Sequence, residues 1–268
     1  MTTLELHRAG LGGMLRSEWT KLRTVRSTVW SLIFMAGISL GLMSLIAWVI
    51  VRQWDTTADE DRLVLQHNPL EILIGRPVFI AQLVIAVLGV MVISAEYTTG
   101  MIRSTFQAQP RRLTVFGAKI LVFAALMLVV GEVLSFTAFF LGRAIIAGHV
   151  PVSLDDPGVA RSVVGAGLFM AVLGLFSLAF GAIVRHTAGA ITGVLGLILI
   201  VSNLTVLLPG GWGAHINAWM PTNAGQLIFQ PHPAPDALLT PWQGFAVFVA
   251  WTALLLAVAA FLLKQRDA

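Results

Sequence analysis

Side chains able to do chemistry are sparse in this sequence, and the recognised catalytic arrangements are missing. No G-x-x-x-x-G-K-[ST] run occurs, so the chain does not hold ATP in a P-loop. Neither H-E-x-x-H nor G-x-S-x-G is present. The six histidines, at 7, 67, 149, 186, 215 and 232, are scattered over what read as loops and termini, and no two stand at metal-ligand spacing. Cysteine is absent, which excludes disulfides and thiolate metal sites. No catalytic set, metal or cofactor is expected within the chain, and no nucleic-acid partner.

Two polar features remain. Glu132 stands inside a long apolar run. A charged side chain at the centre of a membrane span costs about 2.5–3.5 kcal/mol on insertion scales, so such a residue marks function by default. Glu132 has two readings: a helix lock through Ser135 or Thr137, or a group that touches substrate or gates a path. The second feature is EYTTGMIRSTFQAQPRR, residues 96–112, the most polar run between two very apolar segments. Glu96 and the Thr98–Thr99 pair suit a helix start, where an acid or hydroxyl satisfies free N–H groups. Met101, Ile102, Thr105 and Phe106 then share one face of a short helix, with Arg103 at its rim. Pro110 ends that helix, and Arg111 and Arg112 face anionic headgroups.

The elements that carry these residues follow from composition. The 268-residue chain is 57% hydrophobic and 11% charged, against about 25% charged in a soluble domain. Six segments are long and apolar enough to span a bilayer core: 29–51, 78–95, 120–141, 162–184, 188–208 and 242–263. The fourth and fifth are separated by Arg185, His186 and Thr187 alone, which predicts a tight helical hairpin rather than one very long helix. No cleaved signal peptide is expected, because the basic lead is long and no A-x-A site follows the first apolar run. The fold class is therefore an all-α integral membrane protein of one transmembrane domain, 1–268.

Orientation follows from Lys and Arg in the loops. With the N-terminus in the cytoplasm, the inner segments hold Arg8, Arg16, Lys21, Arg23, Arg26, Arg103, Arg111, Arg112, Lys119, Arg185, Lys264 and Arg266. The outer segments hold only Arg52, Arg62, Arg76, Arg143 and Arg161, together with eight acids, among them Asp55, Glu71 and Asp155. Both termini are thus expected inside. Lysine occurs only at 21, 119 and 264, which reads as compositional bias rather than function.

Three further segments have character. Residues 11–27 place Leu11, Met14, Leu15, Trp19, Leu22 and Val25 at helical spacing, with Arg16, Lys21, Arg23 and Arg26 mostly elsewhere on the wheel. That pattern predicts a basic amphipathic helix lying in the inner interface. Gly37 with Gly41, and Gly189 with Gly193, form G-x-x-x-G pairs that let helix backbones approach, within the chain or between subunits. The last outer loop, 209–241, holds six of the eleven prolines, no Lys or Arg, and Trp212, Trp219 and Phe229. It predicts one or two short helices dipping into the outer leaflet.

The sequence resembles a permease of the ABC-2 type of ABC transporter. The likeness rests on SEWTKLRTVRSTVW at 17–30, EYTTGMIRSTFQAQPRRLTVFGAK at 96–119, and the six-span plan with its last external loop LPGGWGAHINAWMPTNAG at 208–225. It implies that 11–27, with Arg16, Trp19, Lys21 and Arg23, is similar to the family's interfacial connecting helix. It implies that 97–110 is similar to the coupling helix, with Glu96, Thr99, Met101, Ile102, Arg103 and Phe106 serving a separate nucleotide-binding subunit. The implied complex has two such ATPase subunits, which carry ATP and Mg, and a second permease chain, identical or paralogous. An exporter in a bacterial cytoplasmic membrane is the function implied, and the apolar, weakly charged path suits a drug, lipid or lipophilic peptide better than a sugar or an ion. An intramembrane enzyme acting on lipid or peptide, and a non-transporting scaffold or sensor subunit, are the competing classes. The external loop between the first two spans is short for the family's specialised members.

Overall fold

The computed structural model describes residues 10–108, 111–208, 210–234 and 237–265. Among the described residues all regular structure is helical. With no water to satisfy backbone groups in a bilayer core, a long apolar segment closes its own hydrogen bonds as a helix. Six helices are long and apolar enough to cross a membrane. α1 (Leu11–Thr24) precedes the first of them, α2 (Arg26–Arg52). A short α3 (Asp59–His67) and a π-helical turn (Glu71–Gly75) lead into α4 (Arg76–Thr98). The short α5 (Met101–Ala108) follows, then α6 (Arg112–Ile146) and α7 (Val159–Val184). α8 starts at Thr187 and runs through a π-helical turn (Leu197–Val201) to Leu204. α9 (Gly210–Trp219), α10 (Pro221–Gln226) and α11 (Pro241–Gln265) complete the chain. Each of the six apolar segments anticipated from composition overlaps one long helix, though α6 extends well beyond 120–141 at both ends.

α7 is the central post. In its most apolar stretch 61% is buried, against 22% for α2 and for α11. It packs chiefly on α4 and α6. Glycine allows this contact: a Cβ added at Gly89 of α4 would lie 2.6 Å from the Gly174 carbonyl oxygen, and one at Gly131 of α6 would lie 2.9 Å from that of Gly167. The glycines that bring backbones together are thus Gly89, Gly131 and the heptad-spaced Gly167, Gly174 and Gly181. The expected Gly37–Gly41 pair meets nothing within 4 Å, so it is not a packing face inside the chain, and Gly193 faces only the Phe180 ring.

The turn between α7 and α8 is a hairpin, as anticipated. Arg185 adopts a left-handed φ of 58°, and the His186 imidazole caps α8 by accepting from Gly189 N–H at 3.1 Å. The Arg185 guanidinium stacks over the Tyr97 ring of α4, 4.9 Å from its centroid. The turn lies at the same end of the bundle as α1 and α5, where Thr187 also donates to Ser94 Oγ at 3.0 Å.

At the opposite end, α9 and α10 fill the last interhelical segment. They are pinned by a partly buried polar net: Asn217 Nδ2 donates to Thr205 Oγ1 at 2.8 Å, Asn223 Nδ2 to the Ser202 carbonyl at 3.1 Å, and Ser202 and Thr222 share a hydrogen bond at 2.8 Å. Trp251 Nε1 donates to the Trp219 carbonyl at 3.1 Å. Thr240 and Gln243 then start α11 with a reciprocal capping box.

Candidate functional site

The buried charged side chains of the described structure, Glu18, Glu96 and Lys119, gather with the half-buried Lys21 in a ring where α1, α4 and α6 meet. Glu18 and Lys21 stand one turn apart on α1, with Lys21 Nζ 2.7 Å from Glu18 Oε1. Lys21 also reaches Glu96 Oε1 at 2.9 Å. Glu96 lies in the last turn of α4. Lys119, two turns into α6, closes the ring with 2.6 Å to Glu18 Oε2 and 2.9 Å to Glu96 Oε1. The Glu18, Glu96 and Lys119 side chains are 5%, 9% and 6% exposed, whereas Lys21 keeps 25%. Two carboxylates and two ammonium groups give no net charge, so each buried ion has a partner, as a low-dielectric site demands. Burial pulls the Lys21 pKa down, but hydrogen bonding to Glu18 and the Glu96 charge outweigh it, and the group titrates above its usual 10.5.

The ring ties three helices whose residues lie far apart in sequence. It also borders α5. Met101, exposed at the start of α5, lines a cavity of about 250 Å³ together with Leu22, Thr28, Leu88 and the ring itself. Thr105, one turn on, lines a crevice with Glu96, Phe116 and Lys119. At two successive turns α5 thus lines the same cavities as the ring.

Several sequence-derived assignments change. Glu96 does not start α5; it belongs to α4, and its carboxylate faces Lys21 and Lys119. Thr98 and Thr99 do not cap α5 either, since both hydroxyls donate backwards, to the Ala95 carbonyl at 3.1 and 2.8 Å. α4 runs on to Thr98, and the break falls at Gly100, with φ 71°. Met101 is exposed, while the side chains of Ile102, Arg103 and Phe106 lie outside the described residues, as does Pro110.

On α1 the face turned to the protein is Glu18 and Leu22, whereas Leu11, Trp19 and Val25 are exposed beside Arg16 and Arg23. Lys21 belongs to the ring, not to a solvated basic face. Two of the chain's three lysines are ring members. Glu132 is not locked through Ser135 or Thr137: Ser135 Oγ donates to the Val163 carbonyl at 2.6 Å, Thr137 is exposed, and the Glu132 carboxylate packs over Gly167 with Oε2 unpartnered among the described residues.

Glu18 and Lys119 were not legible as site residues. A signal existed: the two stretches that carry the family likeness, 17–30 and 96–119, hold Glu18 with Lys21 and begin and end on Glu96 and Lys119. A family model described as "ABC-2 family transporter protein" matches residues 14–204, the greater part of the chain and all four ring positions. The chain belongs to the ABC-2 transporter family. No curated protein matches it. As an ABC-2 protein with six apolar helices it is a multi-pass membrane protein, the permease component of an ABC transporter, and its family implies association with an ABC ATPase component.

Proposed function

We propose that this ABC-2 permease is the membrane-spanning subunit of an ATP-driven exporter in a bacterial cytoplasmic membrane, with both termini inside. Its substrate is lipophilic: a drug, a lipid or a peptide-like molecule leaving the cytoplasm or inner leaflet. Two separate ATPase subunits bind and hydrolyse ATP with Mg, and a second permease chain, identical or paralogous, completes the translocation path. α5 is the coupling helix, and α1 lies in the inner interface.

The observation that carries this reading is the charge ring that holds the end of α4, just before α5. A helix pushed by a moving ATPase must pass that displacement to the spans. α5 follows the last turn of α4 directly through Gly100, Glu96 of that turn is fixed to Lys21 and Lys119, and Glu18 closes the ring. Displacing α5 thus moves the ends of α4 and α6 and the whole of α1 as one unit. Separating them would leave buried ions unpaired, at a cost of about 3–5 kcal/mol per broken pair. A ligand shifts the resulting equilibrium only by binding the two states differently.

The test is affinity purification of the tagged permease from its native membrane. An ABC ATPase should co-purify, and Met101→Ala with Phe106→Ala should remove most of it. Equal recovery with the double variant would show that the ATPase does not dock on α5.

A further inference from the structure

The end of the bundle opposite the charge ring carries a cavity of about 400 Å³, within the size range of small-molecule sites. One wall is the π-helical turn Glu71–Gly75 with the first turns of α4; the other is the segment 226–231. π-helical turns inside α-helices occur frequently at functional sites. The second wall is fixed by Arg161 of α7. Its Nη1 donates to the Ile228 carbonyl at 2.8 Å and its Nη2 to those of Gln230 and Pro231 at 2.9 and 3.0 Å. Gly165 admits the wall closely, since a Cβ there would lie 2.6 Å from the Ile228 oxygen.

Four carboxamides line this cavity: Asn68, Gln82, Gln226 and Gln230. Gln82 is the decisive one. It is 1% exposed, and its buried Oε1 has no hydrogen-bond partner among the described residues. Buried polar groups are nearly always paired, so an orphaned amide in a cavity wall calls for a partner. The Phe79 and Phe229 rings add flat apolar faces, and the Glu71 carboxylate folds back over Gly75 at the same lining.

We propose that this cavity binds a polyhydroxylated, sugar-like ring, supplied by a free saccharide or by the headgroup of a glycolipid. Amide and carboxylate oxygens accept from vicinal hydroxyls, and amide N–H groups donate back to them. An aromatic face covers the C–H side of such a ring while its edge stays polar. A purely lipophilic ligand would leave the buried Gln82 oxygen unpaired, which disfavours it. The site lies within one permease chain and away from α5, so it stands or falls apart from the export reading.

The chain has no cysteine, so Arg76→Cys, at a residue the proposed contacts do not use, places a single thiol at an exposed point of the lining. Its rate of maleimide labelling is measured on the purified full chain in nanodiscs. Glucose, maltose, or a glucosyl diacylglycerol in the disc serves as the probe. Saturable slowing by a free sugar or by the glycolipid is expected, and which of them acts identifies the source. In the same background, Gln82→Leu should raise the half-protecting concentration about tenfold, the size of one lost buried hydrogen bond. Gln226→Ala should weaken protection too, and it carries the test if Gln82→Leu does not fold. No slowing by any of these probes overturns the proposal, as does slowing that is indifferent to both substitutions. Slowing by trialanine with none by the sugars overturns the ligand class.

Discussion

Lys119 Nζ lies 2.6 Å from Glu18 Oε2, a contact that spans 101 positions of sequence and joins α6 to α1. Both side chains are almost fully buried, so neither can lose its partner cheaply. Lys119→Met should destabilise the permease by about 3–5 kcal/mol, the usual cost of leaving a buried ion unpaired. Removing both charges with Glu18→Leu and Lys119→Met should cost less than the sum of the two single changes. Thermal unfolding of the purified chain in detergent measures this, and strictly additive losses would refute a coupled ring.

The raised pKa of Lys21 gives the ring a pH signature. Its contribution to stability is fully present below the ordinary value of 10.5 and is lost as pH rises through the higher folded-state value. Melting temperature should therefore fall above about pH 10.5 in the wild type, and Lys21→Met should flatten that alkaline step. An unchanged alkaline step in Lys21→Met would assign it to other groups.

Much of this arrangement was legible in sequence and part was not, for identifiable reasons. Long apolar runs and the basic lead determine helices almost by themselves, so α1, the six spans and α5 could be anticipated. Tyr97, Thr98 and Thr99 read equally well as the end of one helix or the start of the next, so sequence alone does not place Glu96. The hydroxyls decide it by bonding backwards to Ala95. Glu18 and Lys119 look like ordinary flanking charges, and only the fold brings them together. Glycine pairs four apart drew attention to Gly37 and Gly41, while the glycines in contact on α7 recur every seven residues.

That distinction is testable. A Cβ at Gly89 would press on the Gly174 backbone oxygen, which cannot swing away, whereas one at Gly37 meets nothing within 4 Å. Gly89→Ala should destabilise the chain by about 1–3 kcal/mol through overpacking, and Gly37→Ala should be neutral to folding. Equal melting temperatures for the two variants would contradict the packing described.

Orientation can be read with single cysteines in this cysteine-free chain. Asp155→Cys should react with a membrane-impermeant maleimide in intact cells, and Ser104→Cys on α5 should react only after lysis. The reverse pattern would invert the topology and place α5 beyond reach of a cytoplasmic ATPase.

The most direct measurement of the central claim is ATP hydrolysis by the co-purifying ATPase, reconstituted in nanodiscs with wild-type permease or with Glu96→Gln. Glu96 is a member of the ring and lies outside the proposed docking face on α5. The variant should therefore still retain the ATPase on the column, yet lose about tenfold of the permease-dependent stimulation, as expected when roughly 1.4 kcal/mol of coupling is removed. Full retention with wild-type stimulation would show that the ring holds the helices together but passes nothing between α5 and the spans.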